Sequence, residues 1–167
     1  MRPGSAGWWA AKTRQALRHA QARVDAGERD AVAGWLTSAQ LALFDGMHVA
    51  DRRHGLDVVA ALRSDGADDA ELLVAGLLHD AGKGDAGFLP RVIYSLTTAY
   101  GAWIGGAVAW LPGMATALER LRSHAERSAR MAEAAGCTAR TVELIRWQDE
   151  PRDPEAGERL RLADEAN

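Results

Sequence analysis

Lysine is almost missing from this chain. Lys12 and Lys83 are the only two, and arginine supplies the rest of the 20 positive charges. Such Arg- and Ala-rich usage reflects coding bias more than chemistry. Acids outnumber bases 23 to 20, a net charge of -3, which argues against a bulk nucleic-acid binder. Cys137 is the single cysteine, so no internal disulfide can form, and a reducing cytosol is the expected setting. The first residues, Arg2-Pro3-Gly4 and then Trp8-Trp9, lack the apolar core of a secretory signal. Period-2 alternation of strand length is missing, and so are internal repeats. What is left is a helical chain of 167 residues, long enough for a real core.

The helical signals come in order. Residues 12–25 read as a polar, Arg/Ala-rich helix inside an N-terminal appendage covering 1–34. Thr37-Ser38-Ala39-Gln40 has the form of a capping box before Leu41, Leu43 and Phe44. A helix from about Met47 to Leu62 carries Leu56, Val59 and Leu62 on one stripe. Asp68 and Glu71 are the expected cap of the next, which runs through Leu72, Leu73, Leu77 and Leu78 and ends at Asp80. Gly82, Gly84 and Gly87 break the pattern. Residues 88–111 read as long, apolar and helical, with Pro112-Gly113 closing them. Helices at 123–135 and 139–149 follow, with Gly136 between. Asp153 is the expected cap of the last helix, with Pro154 in its first turn.

Four residues along these helices have metal-binding chemistry: His54, the adjacent His79-Asp80, and Asp164. Imidazole and carboxylate together suit borderline or hard first-row metals. The pair closes an apolar run, Leu77-Leu78-His79-Asp80-Ala81-Gly82-Lys83, so two ligands arrive beside a small turn and a cation. Asp164 is four residues after Leu160 and shares its face. A buried carboxylate there needs a cation. No single local motif holds the set, so three helices must converge, as in bundle-core metal sites. Taken alone, a histidine on an apolar helix is more often a hydrogen-bonded core residue, and a His-Asp dipeptide means little.

The ordered set is more telling, because it resembles the HD-domain superfamily of metal-dependent phosphohydrolases over roughly residues 35–167. Asp51-Arg52-Arg53-His54-Gly55-Leu56-Asp57-Val58 is similar to the segment around that family's first ligand. Leu77 to Lys83 resembles its signature pair, and Leu162-Ala163-Asp164 its last ligand. The resemblance implies an all-α fold, an orthogonal helical bundle of the HD type. It also implies one divalent metal (Mn, Mg, Co, Ni, Fe or Zn) on His54, His79, Asp80 and Asp164, and hydrolysis of a small phosphorylated substrate. Lys83 would neutralise phosphate charge, and His124 would share that task or assist proton transfer. Arg53 would face the mouth and bind substrate.

Relatives with more histidines hold a second metal or bind phosphate through them. His124, in Ser123-His124-Ala125-Glu126, fits one such position and shares a stripe with Ser128, Met131 and Ala135. The others would fall within Ile145-Arg146-Trp147-Gln148, where Trp147 and Gln148 stand instead, so a mononuclear site is expected. The Gly-Tyr-Pro signature of the cyclic-dinucleotide-cleaving branch is missing. Lys83 also replaces the glutamate that follows the pair in guanosine-tetraphosphate hydrolases and small nucleotidases. Asp57 and Asp85 are candidates to orient a ligand. His48, six residues before His54, lies on another helical face and is not an expected ligand.

Val92 to Leu118 contains no charged residue. A single membrane span there would put His79-Asp80 and Asp164 on opposite sides of a bilayer and forbid the site. A buried or pocket-lid helix is the first expectation. A homodimer interface or peripheral membrane contact through 92–118 is the second. The expected protein is therefore a cytoplasmic metal-dependent phosphohydrolase. The alternative is a non-catalytic metal- or nucleotide-binding regulatory module docked at a membrane or partner.

Overall fold

The computed structural model describes residues 22–167, all of whose regular elements are helical. The expected helix over 12–25 lies outside the described residues as far as 21, and 22–25 are not helical. Asp25 instead opens the first helix, α1 (Ala26–Ala33), in a capping box with Glu28. Then follow α2 (Ser38–Asp45), α3 (Val49–Ser64) and α4 (Ala70–Leu78). A short 3-10 turn, Ala81–Lys83, leads into α5 (Phe88–Tyr100), α6 (Trp103–Val108) and α7 (Met114–Arg122). The chain ends with α8 (His124–Ala134), α9 (Ala139–Arg146) and α10 (Ala156–Ala166).

Local chemistry accounts for most boundaries. The Thr37–Gln40 box forms as expected, each side chain meeting the other's backbone N–H. The cap of α4 is Asp69, not Asp68: its carboxylate accepts from the N–H groups of Glu71 and Leu72. The N-cap position of the last helix is Glu155, not Asp153; Asp153 stands two residues ahead and accepts from the N–H groups of Glu155 and Ala156, and Pro154 stays outside the first turn.

Helix α4 is the hub, packing on α2, α3, α9 and α10. Its Leu72, Leu73, Leu77 and Leu78 are buried with Phe44, Val58, Leu62, Ile145 and Leu160. Each such side chain contributes about 1.5–3 kcal/mol. Val32 of α1 joins the same core. At Gly55 the packing of α3 on α4 leaves no room: a Cβ would stand 2.5 Å from the Leu77 carbonyl oxygen.

The segment 88–111 is neither one helix nor buried, which corrects the sequence expectation. It breaks at Gly101 into α5 and α6, and of these two helices only Ile93 and Gly105 are buried. Helices α5–α7 pack mainly on one another, and α7 touches the 3-10 turn and α8. The apolar content of the segment exceeds what one inner face can cover. Phe88 and Leu89 are each 55% exposed, Trp103 71% and Trp110 78%. No helix among the described residues is long and apolar enough to cross a membrane.

Candidate metal centre

Three helices deliver the four residues. His54 comes from the middle of α3, His79 caps the C-terminus of α4, Asp80 opens the 3-10 turn, and Asp164 comes from α10. Two close approaches set their separation. Gly55 lets α3 lie against α4 beside His54. At Gly82 a Cβ would stand 2.4 Å from the His124 carbonyl oxygen, so only glycine lets the turn seat on α8. The Gly82 N–H also donates to Ser128 Oγ at 2.8 Å.

The donor atoms of His54, His79 and Asp164 all lie within 4.8 Å of one another. Asp164 Oδ1 is 2.7 Å from His54 Nε2 and 3.4 Å from His79 Nε2. Asp80 stands alongside, with Oδ1 3.5 Å from His79 Nε2 and Oδ2 3.9 Å from His54 Nε2. Lys83 Nζ donates to Asp80 Oδ2 at 2.5 Å.

Two features of this cluster fit a cation. His79 Nδ1 is 2.9 Å from the Gly76 carbonyl, to which it donates, so Nε2 is the nitrogen facing the carboxylates. His79 Nε2 and Asp80 Oδ1 are also buried without hydrogen-bond partners. Ligands about 2.1 Å from a metal and at right angles to each other stand roughly 3 Å apart. The spacings above bracket that value.

The electrostatics agree. Burial pushes the His79 imidazole down, but the Asp80 and Asp164 carboxylates outweigh it and hold it up at about 9. Burial pushes the Asp80 carboxyl up, yet His79 and Lys83 hold it far below the usual range. Asp164 is likewise raised by burial and lowered more strongly by His54 and His79. The buried Asp80 and half-buried Asp164 carboxylates thus favour positive charge at this spot.

His124 borders the cluster, its Nε2 3.6 Å from Asp80 Oδ1. Burial lowers its pKa. Its Nδ1 faces the Leu121 carbonyl at 2.8 Å and its Nε2 faces Gln148 Nε2 at 3.0 Å, so the neutral ring donates to the first and accepts from the second. Gln148 is buried, and Trp147 is turned to Arg152, whose guanidinium stacks 3.4 Å above the ring centroid.

The structure does not bring every expected residue here. Arg53 is held by Glu28 at 2.5 Å and Asp57 at 2.9 Å, which engages both it and Asp57 away from the cluster. His48 is no ligand; it caps α3 by accepting the Ala50 N–H. Asp85 is exposed. The reading of the sequence missed Asp51 and Arg91, a buried bidentate pair at 2.7 Å for both contacts. Arg91 also donates to the carbonyls of Ala86 and Gly84 and so fastens the chain after the turn. The signal was available: Asp51 shares the buried stripe of Gly55, Val58 and Leu62, and an acid there needs a partner.

No family model, curated protein or solved structure matches the chain.

Proposed function

We propose that this protein is a metal-dependent phosphohydrolase of the HD-domain type, acting on a phosphomonoester or phosphodiester, with nucleotides among the substrates to try first. One observation carries the reading. His54, His79 and Asp164 converge from distant helices with Asp80 alongside, and buried atoms of His79 and Asp80 have no hydrogen-bond partner. A divalent ion held by these residues supplies Lewis-acid stabilisation of phosphoryl charge and a nucleophile at neutral pH. The chain's own residues do the rest. Lys83 keeps Asp80 ionised and oriented. His124 borders the cluster beside Asp80, and its Nε2 can take a proton only when the Gln148 amide swings away from it. Gln148 occupies the His124 Nε2 lone pair, which favours one metal per chain over two.

Elemental analysis of the purified chain tests the metal before any substrate is chosen. About one equivalent of a first-row metal or magnesium is expected, and none, or two, contradicts the reading. Turnover of generic phosphomonoesters and phosphodiesters with added Mn²⁺, Mg²⁺ or Co²⁺ then tests the reaction.

The exposed Phe88, Leu89, Trp103 and Trp110 favour a second reading, a non-catalytic metal- or nucleotide-binding module docked at a membrane or partner. It predicts bound metal with no turnover in any of those assays. A cytoplasmic setting is part of the first proposal and accords with the free thiol of Cys137.

A further inference from the structure

Four cationic side chains, Lys83, Arg91, Arg120 and Arg127, border the turn after His79-Asp80, which itself carries Asp80 and the exposed Asp85. Lys83 is engaged by Asp80, and Arg91 by Asp51. Two arginines are left, one on each helix that flanks the turn. Arg127 of α8 donates its Nε to the Gly82 carbonyl at 3.3 Å and has no carboxylate partner among the described residues. Arg120 of α7 lies against Gly84, where a Cβ would stand 3.4 Å from Arg120 Nη1 and 3.5 Å from its Cδ. Arg120 makes no ion pair or hydrogen bond among the described residues.

Arg29, Arg53, Arg140, Arg146, Arg159 and Arg161 have acid partners, and Arg63 and Arg152 lie over the rings of Trp35 and Trp147; what sets Arg120 and Arg127 apart is their place beside the turn. Gly84 directly follows Lys83, whose ammonium touches the candidate centre. The Arg120 guanidinium therefore packs against the residue that follows Lys83 in the chain. A planar fork of N–H donors matches a phosphate oxygen edge.

We infer that Arg120, with Arg127 across the turn, binds a second phosphoryl group of the substrate, so that the substrate class is one with two adjacent phosphoryl groups. This rests on the phosphohydrolase reading for the group at the metal. The first phosphoryl group meets Lys83 and the four ligands. The next lies beside Gly84, which presents no side chain of its own, within reach of Arg120.

The test uses the full chain as purified, with metal content read separately by elemental analysis. Its probes are inorganic phosphate and methylenediphosphonate, whose P–C–P bridge resists hydrolysis. Binding is measured by calorimetry for the unaltered chain, Arg120→Gln and, as a control, Arg122→Gln, since Arg122 is exposed and near Glu119. Arg120 has no ion pair or hydrogen bond among the described residues to lose, so Arg120→Gln should fold and keep its metal. It should bind methylenediphosphonate at least about tenfold more weakly, while phosphate affinity moves less than about threefold. Arg122→Gln should change neither. A diphosphonate grips metal by itself, so the decisive reading is this difference between variants. Equal affinity in Arg120→Gln and the unaltered chain, or equal losses for both probes, overturns the inference. A chain without metal overturns the phosphohydrolase reading instead, and the elemental analysis separates the two failures.

Discussion

His54 Nε2 lies 2.7 Å from Asp164 Oδ1, although 110 residues separate them in the chain. The contact joins the middle of α3 to the last helix. It holds because α4 packs on both, with Gly55 giving α3 its close approach. Around it, positive charge balances buried carboxylates, and this balance makes the cluster testable by removing one member at a time.

Asp80→Ala should lose most of the bound metal, as read by elemental analysis, and nearly all hydrolytic activity. It also leaves Lys83 without its partner, so stability should fall by about 3 kcal/mol or more in urea unfolding. Unchanged metal content in this variant would rule out the site.

Arg91→Met should cost about 3–5 kcal/mol, because it strands the Asp51 carboxylate, which is only 4% exposed. Replacing both partners, Asp51→Leu with Arg91→Met, should recover much of that loss. A single-variant cost under about 1 kcal/mol would mean that the pair does not fasten the chain after the turn.

Asp69→Ala removes the cap of α4 and should cost about 1 kcal/mol at neutral pH. Burial pushes the Asp69 carboxyl up, but Arg140 and the N–H groups of Leu72 and Glu71 outweigh it and leave it below its ordinary value. A carboxyl depressed on folding stabilises above its unfolded value, near 4, and that contribution fades as pH falls through the folded value. The difference between the unaltered chain and Asp69→Ala should therefore be constant from about pH 5 to about 7 and shrink below about 4. A difference that grows in acid would contradict the assignment.

Trp103→Ala and Trp110→Ala should each change stability by no more than about 0.5 kcal/mol, since both rings face solvent. Thermal unfolding measures this directly. A loss of several kcal/mol would show that the rings are packed.

Much of the helical order was legible in the residues. Thr37 and Gln40 marked one start, Pro112-Gly113 marked a break, and the Leu72–Leu78 run marked the buried hub. The miss at Asp68 and Asp69 is one residue wide, because adjacent acids offer the same capping chemistry and only backbone geometry separates them. The miss at 88–111 has a different cause. Apolar character marks what can be buried, whereas the neighbours decide what is, and α5 and α6 have neighbours on only part of their surface.

The candidate ligands divide along the same line. Residue type and order nominated His54, His79, Asp80 and Asp164, because imidazole and carboxylate chemistry is carried by the side chain itself. The same reasoning nominated Arg53 and passed over Asp51, Arg91 and Arg120, because every arginine reads alike until its partner is known. Glu28 and Asp57 take Arg53, Asp51 takes Arg91, and nothing among the described residues takes Arg120. Helix signals act over three or four residues and survive in the linear text. Charge pairing here spans up to 110 residues, and it exists only where packing of the core has brought those side chains together.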